Sequence, residues 1–382
     1  MFEKRIYLDW NATSPLLPEA RSVFIEALNE FGNASSIYQE GRKSRQYLEC
    51  ARHALAEFCD TKVENVIFTS SATEAANFVL TPDFYILGQL TRLDSLYISA
   101  IEHPAILKGG RFPVNHVYTL PVTSEGVIDL EALSRNLESR NFLSYAPMIA
   151  VMLVNNETGI IQPVREVSKI VKKHGGILVV DAVQAAGRIP LSFKEIDADF
   201  FIISSHKLGG PIGAGALVSR DNMRLPKPLL HGGSQENGYR AGTENIPAIR
   251  GFSAAVMTMG KGIRERSLYL SELREQLEKG LKAIVPDVLI YGENVTRISN
   301  TCFFTFPHVK AETLQIAFDV EGISVSAGSA CSSGKVGTSH VLKAMGYDTV
   351  KGALRVSLGP TTSERHIHVF LTVLEKIVKR LP

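Results

Sequence analysis

The strongest constraint in this chain is a repeated order: a short apolar run, a polar cluster at its end, then an amphipathic stretch. Residues 65–70 read as a strand leading into a helix. Residues 149–154 are a buried-strand run closed by Asn155-Asn156-Glu157. Residues 164–174 carry Val164, Val167, Ile170 and Val171 at helical spacing and stop at Gly175-Gly176. Residues 177–180 end at Asp181, residues 200–203 end at Ser204-Ser205-His206-Lys207, and residues 213–218 read as a further strand. This alternation predicts an α/β fold with a mostly parallel central sheet between helices. Ligands of such sheets lie beyond the carboxyl ends of the strands. Here three strand ends in sequence are polar, which marks a site.

From about Ala248 the texture changes. Residues 266–284 read as a long amphipathic helix. Residues 300–306 alternate as a strand with Cys302, Phe304 and Phe306 on one face, and residues 369–380 form the last helix. The expected organisation is a large domain over 15–255 and a smaller α+β domain over 256–382, with residues 1–14 packed on the latter. The chain of 382 residues is 45% hydrophobic and 21% charged, as globular proteins are. Lys and Arg number 41 against 39 acidic residues, so charge gives no ground for nucleic-acid or membrane binding. No stretch approaches the roughly 18 continuous apolar residues of a membrane span. Residues 1–10 have no apolar core of a secretory signal. Four cysteines without a CxxC pair predict no metal site and a reducing, cytoplasmic location.

A lysine at a strand end inside an α/β core is unusual. Alone, Lys207 reads as a solvated loop residue, because lysine is mostly exposed. Desolvated, it sheds its proton and can form a Schiff base. Asp181, 26 residues upstream at the adjacent strand end, changes that balance. Pyridoxal 5′-phosphate needs a lysine to hold it and a carboxylate facing its pyridinium nitrogen. Ser71-Ala72-Thr73-Glu74 fits a capping box at a helix start, where free N–H groups suit a phosphate. The run from Ser326 through Cys331 to Gly334 is small, polar and glycine-bracketed, which predicts a mobile loop presenting one thiol, with Lys335 near enough to favour the thiolate. Cys50, Cys59 and Cys302 read instead as inert helix or core residues. Arg355 could bind a substrate carboxylate through its fork, although alone it reads as an ordinary ion-pair arginine.

Taken together these parts resemble the cysteine desulfurases, NifS/IscS-like pyridoxal-phosphate enzymes of the class V aminotransferase group with the fold type I architecture. The resemblance runs from Tyr7-Leu8-Asp9 and Gly32-Asn33-Ala34-Ser35-Ser36 to Arg355-Val356-Ser357-Leu358-Gly359. Between them lie Ala72-Thr73-Glu74, Glu102-His103-Pro104-Ala105, Asn155-Asn156-Glu157-Thr158-Gly159, Asp181-Ala182-Val183-Gln184, Ser205-His206-Lys207 and Gly242-Thr243-Glu244-Asn245. It implies that the larger domain binds the cofactor and that Lys207 holds it. Asp181 pairs with its ring nitrogen, Gln184 with its hydroxyl, and His103 stacks on the ring and moves protons. Ala72, Thr73, Ser204 and His206 hold the phosphate, and Thr243 reaches the phosphate of the other subunit of a homodimer. Asn156 and Arg355 fix the carboxylate of L-cysteine. Cys331 takes the sulfur as a persulfide, leaving alanine, and passes it to a protein acceptor such as an iron–sulfur scaffold.

An aminotransferase or selenocysteine lyase on the same fold would need Lys207 and Asp181 but not the Cys331 loop. A non-catalytic, partner-binding member would be expected to lack Lys207, Cys331 or Arg355. Trp10, Tyr38, Ser71, Asn237 and Tyr239 depart from the family pattern. Ser71 stands where glycine is usual, and a left-handed backbone there would cost about 1 kcal/mol or more. The chain ends soon after its last helix, so a longer scaffold-docking tail is not expected.

Overall fold

The computed structural model describes residues 5–139, 146–328, 339–347 and 350–380. Seven strands form the central sheet: β1 (Val66–Thr69), β2 (Leu96–Ser99), β3 (Val117–Leu120), β4 (Met148–Met152), β5 (Ile177–Asp181), β6 (Phe200–Ser204) and β7 (Gly215–Ser219). Their order is β1-β7-β6-β5-β4-β2-β3. Strands β2 to β6 run parallel, and β7 is antiparallel to both its neighbours.

The strands are nearly unbroken apolar runs because both faces are covered. One face sends Ile149, Val151, Leu178, Val180, Phe201 and Ile203 against the helices Gln39–Cys59, Val164–Lys173 and Ile246–Gly260. The other sends Ala150, Val179, Phe200 and Ile202 against Ala75, Ala76, Phe78 and Val79 of the Ala72–Val79 helix. Each large apolar side chain buried this way contributes about 1.5–3 kcal/mol. The period of two along each strand therefore fixes which residues face which layer.

A second, antiparallel sheet contains β8 (Leu289–Ile290), β9 (Thr301–Thr305), β10 (Ser326–Ala327) and β11 (Leu354–Ser357), ordered β8-β9-β11-β10. Cys302, Phe304 and Phe306 pack against Leu270, Leu273, Leu277, Phe318 and Phe370, the face that their alternation predicts. Phe303, on the opposite face, is also buried, against Ile101, Met152, Ile160, Val341 and Leu342. That contact joins the second sheet to the carboxyl ends of the first. Residues Ile6–Tyr7 pair with Ile323–Ser324, and Leu8 sits in the second core.

The last helix spans Glu364–Val378 and starts five residues before its expected position. Ser363 caps it, with the Ser363 N–H donating to His366 Nδ1 at 3.1 Å. Histidine in place of the usual Glu or Gln at that position hides the start signal. Among the described residues no helix is long and apolar enough to cross a membrane.

Candidate active site

The carboxyl ends of β4, β5 and β6 open onto a cavity of about 480 Å³. Its walls include Ser70, Ser71, Ala72 and Thr73 at a helix start, His103 after β2, and Asn156 after β4. Asp181, Gln184, Ser204, His206 and Lys207 complete the polar lining. Nine of the expected site residues thus meet at one place although they span 136 positions of sequence.

The helix start is built without strain. Ser71 is extended, with φ −171° and ψ 164°. The anticipated left-handed strain is absent because the backbone there is within reach of any residue. Ser71 Oγ accepts the Glu74 N–H at 3.1 Å. Glu74 returns its carboxylate to the N–H of Ser70 rather than Ser71, and Arg240 pairs with it. The capping box is therefore shifted by one residue at its second arm. Gly215 of β7 lies so close beneath that a Cβ would fall 2.6 Å from the Ser71 carbonyl carbon and 2.9 Å from the Ala72 nitrogen.

Burial raises the Asp181 carboxyl to about 6, while the Val183 N–H and Lys207 oppose the rise. Burial lowers His103 to about 4, helped by Lys207 and His340. His103 Nδ1 accepts the Ala105 N–H at 3.2 Å, so the neutral ring carries its proton on Nε2. His206 is likewise lowered to about 4, by burial first and then by Lys207. Glu102, fully buried beside Met152, is pushed well above the carboxylate range by burial, and Asp181 adds to the shift. Sequence reasoning gave no role to Glu102; a glutamate flush against an apolar strand end was its only signal.

The backbone of residues 9–14 also shapes the site. Lys207 Nζ donates to the carbonyls of Asn11 and Ala12 at 2.6 and 2.7 Å. Gln184 donates to the same Asn11 carbonyl at 2.9 Å. Main-chain acceptors leave no residue-type signature, which is why the sequence did not reveal them. Arg355 is buried but does not line the cavity; its Nη2 donates to Asp9 Oδ1 at 2.7 Å and its Nη1 to the Asn156 carbonyl at 2.8 Å. Thr243 is exposed and lines a smaller neighbouring cavity of about 110 Å³, which shares Ser70 and Gly213 with the larger one. Cys331 and Lys335 lie outside the described residues. Cys59 and Cys302 are buried with thiols pushed up by burial, and Cys50 is exposed on its helix. Among the described residues no group of three or more His, Cys, Asp or Glu could hold a metal ion.

The Aminotransferase class-V family profile matches residues 6–370. The chain belongs to that family. It is 36% identical to the cysteine desulfurase IscS of Dictyoglomus turgidum, across 99% of this chain and 96% of that protein. It is 37% identical to a cysteine desulfurase of a Nostoc species, across 98% and 93%. A NifS-like protein from Rickettsia africae superposes with a TM-score of 0.87 at 33% identity, covering 98% of this chain and 99% of that one.

Class V aminotransferases use pyridoxal phosphate, and the residues of this member fit it. The cavity lining combines a helix start suited to an anion with a carboxylate and a lysine. Asn156 Oδ1 is buried there without a hydrogen-bond partner, a polar atom placed for a ligand. Gly215 lets β7 pack directly against that helix start, where a Cβ would displace the backbone of Ser71 and Ala72.

Proposed function

We propose that the protein is a pyridoxal-phosphate-dependent cysteine desulfurase. It converts L-cysteine to L-alanine and passes the sulfur through Cys331 to an acceptor for iron–sulfur cluster or other thio-cofactor synthesis. The carrying observation is that Lys207 and Asp181 face one cavity, in a member of this family with desulfurase relatives along its whole length.

When bound, pyridoxal phosphate supplies an electron sink that weakens the Cβ–sulfur bond of the substrate. Lys207 would hold the cofactor and would move a proton at the substrate Cα. Asp181 holds the charge that favours a protonated ring nitrogen. His103 would stack on the cofactor ring and, as a neutral imidazole, donate a hydrogen bond from Nε2. Ala72, Thr73, Ser204 and His206 take the phosphate, Gln184 the hydroxyl, and Asn156 with Arg355 orients the substrate carboxylate. The Cys331 thiolate attacks the substrate sulfur. The carbon–sulfur bond breaks, its electron pair stays on Cβ and is protonated, and a Cys331 persulfide forms. In this reading the enzyme is a cytoplasmic homodimer, and Thr243 of each subunit reaches the other's phosphate.

The test is turnover of L-cysteine with dithiothreitol. The wild type is expected to release alanine and sulfide in equal amounts, Lys207→Ala neither. Cys331→Ser is expected to lose sulfide release; release as fast as the parent contradicts the persulfide assignment.

A further inference from the structure

Arg355 rises on β11, whose neighbours β9 and β10 enclose it on both edges, and only 2% of the residue is exposed. Two anchors fix its guanidinium: the Asn156 carbonyl on Nη1 and the Asp9 carboxylate on Nη2. Nε is buried with no partner. The Asp9 backbone is itself held, since it bridges Ser357 in parallel and is flanked by the Ser357 N–H to Leu8 carbonyl bond at 2.8 Å. Trp10, the next residue, lies flat over Gly359, where a Cβ would come within 2.0 Å of the indole. Asp9 is therefore aimed at Arg355 by main-chain structure on two sides.

We propose that Asp9 sets substrate selectivity by occupying Arg355 as an internal carboxylate, which an incoming amino-acid carboxylate must outcompete or share. This rests on the reading of Arg355 as the carboxylate-binding residue. A guanidinium already paired with a carboxylate attracts a second one weakly, because the first has neutralised most of its charge. A ligand anchored elsewhere as well, by its amino group at the cofactor, still wins the site. A bare carboxylate, with no second anchor, is turned away. The sign of the effect follows from the geometry. Removing the Asp9 charge leaves Arg355 oriented by Asn156, and asparagine at position 9 retains an oxygen to accept from Nη2.

The experiment compares wild-type, Asp9→Asn and Asp9→Glu holoenzymes. It measures KM for L-cysteine and the calorimetric Kd for 3-mercaptopropionate, which keeps the carboxylate and thiol of cysteine but lacks its amino group. Asp9→Asn is expected to lower KM about threefold and the 3-mercaptopropionate Kd tenfold or more. Asp9→Glu, which keeps the charge, is expected to change the 3-mercaptopropionate Kd less than Asp9→Asn does. An unchanged or raised Kd in Asp9→Asn overturns the proposal. So does an Asp9→Asn protein that fails to fold or to hold cofactor, since the pair is then structural. A wild type that forms no alanine from cysteine instead defeats the desulfurase reading; the Kd comparison, which needs no turnover, still judges Asp9.

Discussion

Lys207 Nζ sits 2.6 Å from the Asn11 carbonyl, so the residue expected to hold the cofactor is tied to the N-terminal segment. Asn11 is 1% exposed and is tied from several sides. Its Nδ2 donates to Thr301 Oγ1 at 2.9 Å, its Oδ1 accepts from Asn300, and its N–H donates to Ser357 Oγ. Asn11→Ala removes the side-chain ties and leaves buried partners short of a bond. It is expected to cost about 1–3 kcal/mol, seen as a lower urea midpoint at unchanged slope. An unchanged midpoint would show that these bonds do not hold the segment in place.

The apo protein should lose stability in mild acid through His103. Its value falls from 6.5 to about 4 on folding. A histidine lowered on folding contributes fully above pH 6.5 and loses that contribution as pH falls towards 4. Asp181, raised from 3.8 to about 6, acts in the opposite sense and gains stability over that acid range. His103→Gln leaves Asp181 in place, so the difference between the two proteins isolates the histidine. Urea midpoints at pH 7.5 and 5 should show the variant losing less than the wild type. The gap should be about 1 kcal/mol, reduced because one side of the ring faces the cavity.

Gly215→Ala tests the proposed phosphate site at the Ala72–Val79 helix start. Its Cβ would meet backbone atoms of Ser71 and Ala72, which cannot rotate away. The helix start must move, and the expected result is a fold that persists while cofactor affinity drops tenfold or more. Equilibrium dialysis with pyridoxal phosphate reads it directly, and wild-type affinity would place the phosphate elsewhere.

Arg52 and Glu236 form a bidentate pair at 2.8 and 2.9 Å, both nearly fully buried. Glu236 also accepts the Phe68 N–H and keeps a left-handed backbone, φ 47°. The pair ties the segment carrying Arg240 and Thr243 to the helix Gln39–Cys59. Arg52→Met strands a buried carboxylate and should cost about 3–5 kcal/mol. Adding Glu236→Gln should recover much of that loss, and a double-mutant cycle in urea measures the coupling.

Much of the site was legible because strands end where their apolar runs end. Asp181, Asn156 and the Ser204–Lys207 turn announce themselves as polar residues that follow buried apolar runs. The face of Cys302, Phe304 and Phe306 followed from a period of two. The pairing of Asp9 with Arg355 was not legible, because 346 positions separate them and each reads alone as an ordinary charge. The Asn11 and Ala12 carbonyls were invisible for a different reason, since every residue carries one. Ser71 misled because its effect depends on φ, which only the backbone path decides.

The most direct measurement is an intact mass spectrum after brief exposure of the holoenzyme to L-cysteine, with alanine quantified in the same sample. The account predicts a gain of one sulfur atom, mapped to Cys331 and matched mole for mole by alanine. Alanine or a keto acid formed without sulfur on Cys331 would contradict it and leave only the fold and the cofactor standing.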